Sequence, residues 1–112
     1  MTGWPNFDVS VVSNGVGRSV DVVVTGELDL ATAPKLRREL LAVVGSGMLR
    51  LTVDLRGVDF IDAAGIGALV EGANAASRQG VDLVVRRPSR SVRRLFDVLA
   101  LHGVLPEEGS RA

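Results

Sequence analysis

Three carboxylates, Asp54, Asp59 and Asp62, fall within nine residues of one another. Acids so close together could hold magnesium or include a phosphoacceptor aspartate. A phospho-receiver site would also need an acidic pair after the first strand and a lysine after the last. Neither is present, because the single lysine, Lys35, lies in the first helical segment. A strand-end Asp54 and a helix-capping Asp62 account for the acids better. Directly after them, Gly65-Ile66-Gly67 opens a helical stretch as a dinucleotide loop would. The sixth place of the G-x-G-x-x-G/A pattern is Val70, however, and the preceding Asp62 would set a carboxylate against the phosphate. Dinucleotide binding is therefore excluded.

Arg86, Arg87, Arg90, Arg93 and Arg94 form the one basic cluster. Bases would need aromatic platforms, yet Phe96 falls on the apolar stripe of the same segment, and the formal net charge of the chain is zero. No nucleic-acid partner is expected. His102 is the only histidine and the chain has no cysteine, so neither a metal site nor a convincing general base can be built around it. No serine, histidine and aspartate arrangement suggests a hydrolase. The expectation is a protein with no catalytic residue, no cofactor and no metal. Trp4 lies in a terminal segment and reads as a local cover.

The acids and glycines sit on a strand followed by a helix. Leu51, Val53 and Leu55 read as the buried side of a short strand. Gly57 breaks the run in a tight turn, and Val58, Phe60 and Ile61 return the chain to apolar packing. Asp62 then occupies an N-cap position, with Ile66, Leu69, Val70, Ala73 and Ser77 at helical spacing after it. Earlier, the segments starting at Phe7 and Arg18 alternate as strands around the turn signal Asn14-Gly15-Val16-Gly17. Thr32 reads as an N-cap with Pro34 in the first turn, and Leu36, Leu40, Val43 and Val44 mark the inward stripe of the helix that follows. Later, Val81-Asp82-Leu83-Val84-Val85 reads as a strand. Pro88-Ser89 introduces a last helix through Val92, Leu95, Phe96 and Leu99, and residues 101–105 read as a short extended piece. The order β-β-α-β-α-β-α predicts an α/β fold, with a small mixed sheet, an antiparallel hairpin at its start and helices packed on it.

A chain of 112 residues with 46% apolar content makes one domain, 1–112, with a core at about 7–105 and both termini frayed. No apolar run approaches the roughly 20 residues needed to cross a bilayer, so no membrane is expected as a partner. Neither a basic region nor an apolar h-region marks a secretory signal. Without cysteine there is no disulfide scaffold. A soluble cytoplasmic domain is expected.

Three separated stretches carry a resemblance. They are Thr25-Gly26-Glu27-Leu28-Asp29, then Val53-Asp54-Leu55-Arg56-Gly57-Val58-Asp59-Phe60-Ile61-Asp62-Ala63-Ala64-Gly65-Ile66-Gly67, then Val92-Arg93-Arg94-Leu95-Phe96. In order and spacing they resemble the bacterial anti-sigma factor antagonists of the STAS domain family. The resemblance implies a mixed sheet with helices on it and no catalytic activity of its own. It also implies a partner, an anti-sigma factor that is often an ATP-dependent serine kinase, whose binding releases a sigma factor. The family's phosphoacceptor is a serine or threonine just before the glycine at the start of this helix. Here the D-S-S-G-like motif reads Asp62-Ala63-Ala64-Gly65, and Ala64 stands in the acceptor place. Alanine has no hydroxyl, so phosphoryl transfer there is chemically impossible. The expected contact surface is Asp62, Ala63, Ala64, Gly65 and Ile66, with Glu27 and Asp29 from the neighbouring loop. Asp62 would cap the helix and offer a carboxylate, while Gly65 and Gly67 would allow close backbone approach. The rival expectation is a STAS-type scaffold or ligand-sensing module in a bacterial signalling complex. Ser89 and Ser91, beside arginines, read as ordinary surface serines.

Overall fold

Turn chemistry and alternation build the opening hairpin. Strand β1 (Phe7–Ser13) returns antiparallel as β2 (Ser19–Leu28). Gly15 and Gly17 between them take φ values of 75° and 53°, which glycine adopts without strain. Asn14 Oδ1 accepts the Val16 N–H at 3.0 Å. The computed structural model describes residues 6–109, so Trp4 lies outside the described residues.

From β2 the chain crosses over through α1 (Ala33–Val44) to β3 (Arg50–Ile61), and through α2 (Ala63–Gln79) to β4 (Asp82–Arg86). Both crossovers join parallel neighbours, and the sheet order is β1-β2-β3-β4. Two right-handed crossovers stepping in the same direction put both helices on one face of the sheet. Val22, Val24, Val53, Leu55 and Val85 of the strands and Leu36, Leu40 and Leu69 of the helices are buried there. Gly72 lets the helices approach, since a Cβ at that position would stand 2.7 Å from Leu40 Cδ1. Gly80 ends α2 with φ 72°, a left-handed cap. Helix α3 (Arg90–Val98) starts at Ser89, whose Oγ accepts the Val92 N–H at 3.4 Å. It adds Val92 and Phe96 to the core.

The structure departs from the sequence reading in three places. Gly57 makes no turn: β3 runs unbroken to Ile61. The pairing of β3 with β2 shifts twice, between Val23 and Thr25 and between Gly26 and Glu27. Extra residues on β3 are taken up as bulges, which bend a strand and re-aim its side chains. Phe60 consequently points outward and is half-exposed instead of packing inside.

At the C-terminal end, residues 101–105 form a turn that buries Leu105, not an extended piece. The extended segment is 106–108, alongside β4. The Val85 N–H donates to Pro106 O at 2.8 Å and the Glu108 N–H to Val85 O at 2.7 Å. Arg86 binds Glu108 at 2.8 Å and Asp21 at 2.9 Å, and Arg93 binds Glu107 at 2.6 Å. Glu107 and Glu108, expected to fray, are therefore held. The hydrogen bonds that Arg86 donates to Glu108 keep the Glu108 carboxyl below the usual glutamate range, and those it donates to Glu108 and Asp21 raise the pKa of the Arg86 guanidinium.

Candidate functional site

Parallel neighbours end at the same edge of a sheet, so the segments that follow β2 and β3 meet. Glu27 lies opposite Phe60 and Leu28 opposite Ile61. The next residues are Asp29 on one side and Asp62 on the other. Asp62 takes an extended conformation, and its Oδ1 accepts the Gly65 N–H at 3.0 Å. Its own N–H donates to Leu28 O at 3.2 Å. One residue thus caps α2 and ties its start to the end of β2.

The seven expected contact residues separate into two groups. Asp62 is half-buried, Ala63 is exposed and Ala64 half-buried, together forming the first turn of α2. Glu27 is exposed at the end of β2. These four share the accessible tip. Ile66 is buried in the core, where its place on the inward helical stripe puts it. Gly65 is also buried, and a Cβ there would meet Leu28 O at 2.5 Å and Ile61 Cγ1 at 2.9 Å. Its missing side chain therefore serves helix–sheet packing. Gly67 has no atom within 4 Å of a Cβ position and faces open space. Asp29 is engaged locally: its Oδ1 accepts the Ala31 N–H at 3.0 Å and the Thr32 N–H at 3.2 Å. Thr32 makes no side-chain cap bond. Its hydroxyl instead donates to Glu27 O at 2.8 Å and accepts the Asp29 N–H at 2.9 Å. Asp29 thus performs the α1 entry role that the sequence assigned to Thr32.

The three acids that opened the sequence reading do not converge. Asp54 Oδ1 accepts the Arg56 N–H at 3.0 Å, Asp59 is exposed and Asp62 caps α2. Among the described residues no three His, Cys, Asp or Glu side chains gather as a metal-holding group.

Two grooves flank the tip, and sequence reasoning missed both. The first runs between α1 and α2, lined by Leu30, Pro34, Ala64, Gly67 and Ala68, with the 2.7 Å Arg37–Glu71 pair beside them. Leu30 is 77% exposed. The second lies between the end of β3 and α3, lined by Asp59, Phe60, Arg94, Leu95 and Val98. A leucine in a loop before a helix, and a valine one place off the buried stripe of α3, were the available signals. Chemically, the tip offers methyl groups, free amides of a helix start and two carboxylates. That set can recognise a surface, and it holds no hydroxyl, thiol, amine or imidazole.

Fold and tip together define a small α/β domain whose strand-end edge carries methyl groups, helix-start amides and the Glu27 and Asp62 carboxylates. A family model described as "Mlab, STAS domain" matches residues 13–106, and the chain belongs to the STAS domain family. It is 30% identical over 100 residues to an anti-sigma-B factor antagonist of Bacillus subtilis (strain 168), covering 89% of each. A Listeria monocytogenes anti-sigma-B factor antagonist is 29% identical over 86 residues, 77% of this chain and 75% of that one. In fold, the chain is similar to an anti-sigma factor antagonist from Mycobacterium paratuberculosis, with a TM-score of 0.82 at 24% identity, covering 97% of this chain and 92% of that one. It also matches the phosphorylated form of the Bacillus cell fate determinant SpoIIAA, with a TM-score of 0.68 at 17% identity over 93% and 92% of the two chains.

Proposed function

We propose that this protein is an anti-sigma factor antagonist, not an enzyme, that binds an anti-sigma factor of the serine-kinase type through the α2 tip and so releases a sigma factor. We further propose that no phosphoryl switch acts at that tip. The names of the relatives support the first part. The second rests on one observation: the half-buried residue just before Gly65 is Ala64, with a methyl group where an acceptor hydroxyl would stand.

A phosphate there would add a charge of about −1.5 to −2 to the contact surface. The dipole at the helix start would favour that charge by only about 0.3 to 1 kcal/mol, so phosphorylation would alter recognition and leave the fold intact. Glu27 and Asp62 already make the tip acidic, and an added dianion would have to be desolvated next to them on binding. With alanine the surface stays small and uncharged at that point. Binding is then constitutive, and regulation falls to abundance or to a competing antagonist.

A pull-down from native cell extract, with the natural protein and Ala64→Ser each incubated with ATP, tests this reading. Both forms should capture a kinase-like anti-sigma factor, and ATP should release only the serine form. Capture by neither form overturns the anti-sigma role and favours a scaffold or sensing module.

A further inference from the structure

We propose that the groove between the end of β3 and α3 is a second docking surface, fitted to a partner's amphipathic helical segment whose apolar stripe is flanked by carboxylates. This inference is independent of what binds the α2 tip. Helix α3 buries Val92 and Phe96 against its own sheet. Leu95 and Val98, three residues apart, lie on a different side of the helix, and Val98 is 73% exposed. They face the groove together with Phe60, which is 50% exposed because the bulges of β3 turn it out of the core. An apolar wall thus spans two elements, and no segment among the described residues covers it.

The charge around this wall is mainly positive, with Asp59 the acid that lines it. Arg86 and Arg93 are engaged by Asp21, Glu108 and Glu107. Arg87, Arg90 and Arg94 are exposed and make no ion pair among the described residues. Arg94 lines the groove, and Arg90 lies one helical turn before it, so the two project along the same side of α3. Because the whole chain is formally neutral, this local positive excess is a matter of placement. An apolar trough with two cations along one bank matches a helix that lays leucine-like residues into it and sets glutamate or aspartate beside the arginines. An anionic lipid surface fits less well. The apolar residues line a concave groove, which takes a single helix and not a flat bilayer surface.

The test is a titration of the ¹⁵N-labelled full chain, followed by amide shifts. The probe is a synthetic amphipathic peptide with leucines at helical spacing flanked by glutamates; its control carries lysines in place of the glutamates. The glutamate peptide should bind with a dissociation constant on the order of 1 mM or tighter and shift amides at 59–61 and 91–98. The lysine peptide should bind about tenfold more weakly or not at all, and Phe60→Ser should cost the glutamate peptide about tenfold. Arg90→Glu combined with Arg94→Glu changes two exposed side chains only and should reverse the peptide preference. Absence of localised shifts, or equal response to both peptides, overturns the proposal. So does a response to phosphatidylglycerol vesicles at the same amides that depends on Phe60 and exceeds that of the peptide, since it would assign the groove to a lipid surface.

Discussion

Gly65 and Gly67 stand two residues apart in the first turns of α2, and replacing each by alanine should change stability in opposite directions. At Gly65 a methyl group would stand 2.5 Å from Leu28 O, 2.8 Å from Leu28 Cγ and 2.9 Å from Ile61 Cγ1. Leu28 O is backbone and accepts the Asp62 N–H at 3.2 Å, so relieving the clash also disturbs the link between β2 and the α2 cap. Overpacking of this kind costs about 1 to 3 kcal/mol. Alanine's better helix propensity offsets about 0.5 to 1 kcal/mol of it. From the middle of each range, the net expectation for Gly65→Ala is a loss of about 1.2 kcal/mol, with a fall in Tm of roughly 4 to 8 °C per kcal/mol for a domain of this size. At Gly67 the methyl meets nothing within 4 Å, so the propensity gain stands alone and stability should rise by about 0.5 to 1 kcal/mol. Urea unfolding followed by far-ultraviolet circular dichroism measures both changes. A Gly65→Ala protein as stable as the natural one, or a destabilised Gly67→Ala, would refute the packing assigned to the start of α2.

Further expectations follow from neighbouring contacts. Asp62→Ala removes the side chain that caps α2 and should cost about 0.5 to 2 kcal/mol in urea unfolding. Asp62→Asn keeps an acceptor oxygen, so it should stay near native stability yet bind the anti-sigma factor more weakly in a titration. Leu30→Ser changes a side chain that is 77% exposed, and should weaken partner binding while leaving unfolding within about 0.5 kcal/mol of the natural protein. The pairing of Glu108 with Arg86 lowers the carboxyl pKa in the folded state, so its contribution is present above the ordinary glutamate value and lost as pH falls through the lowered one. The pair is largely solvent-exposed, so the effect is about a few tenths of a kcal/mol. The stability gap between the natural protein and Glu108→Gln should close as the pH is taken below about 4.5 in denaturation curves.

Short-range signals matched the structure wherever the chemistry was local. The Asn14-Gly15 turn and the Asp62 cap each depend on residues within a few places of one another, and both were legible. The order of strands and crossovers followed from them. Where two local signals competed, the choice depended on more distant contacts. Thr32 read as the start of α1, but the Glu27 carbonyl engages its hydroxyl, and Asp29 Oδ1 accepts the Ala31 and Thr32 amides instead. Gly57 read as a turn because a glycine and a broken alternation signal one. In β3 the same signals mark bulges, visible only in the register against β2. That misreading also hid the outward Phe60 and the groove beside it. The tail was illegible for a different reason: Glu108 meets Arg86 across 22 positions of sequence and Glu107 meets Arg93 across 14, pairings that no periodicity records. At the site itself, the positions of Asp62, Ala63 and Ala64 were readable from the cap and the helical pattern. The burial of Ile66 was already implied by its place on the inward helical stripe, whereas the role of Gly65 was not readable, because it depends on how closely α2 approaches Leu28 and Ile61.

The decisive measurement is a calorimetric titration of the natural protein into its purified anti-sigma factor, once with ADP and once with ATP present throughout. Constitutive binding predicts the same dissociation constant under both conditions, with no label transferred from ATP to the antagonist. Binding that is lost as ATP is consumed, accompanied by phosphate on this chain, would contradict a switchless α2 tip.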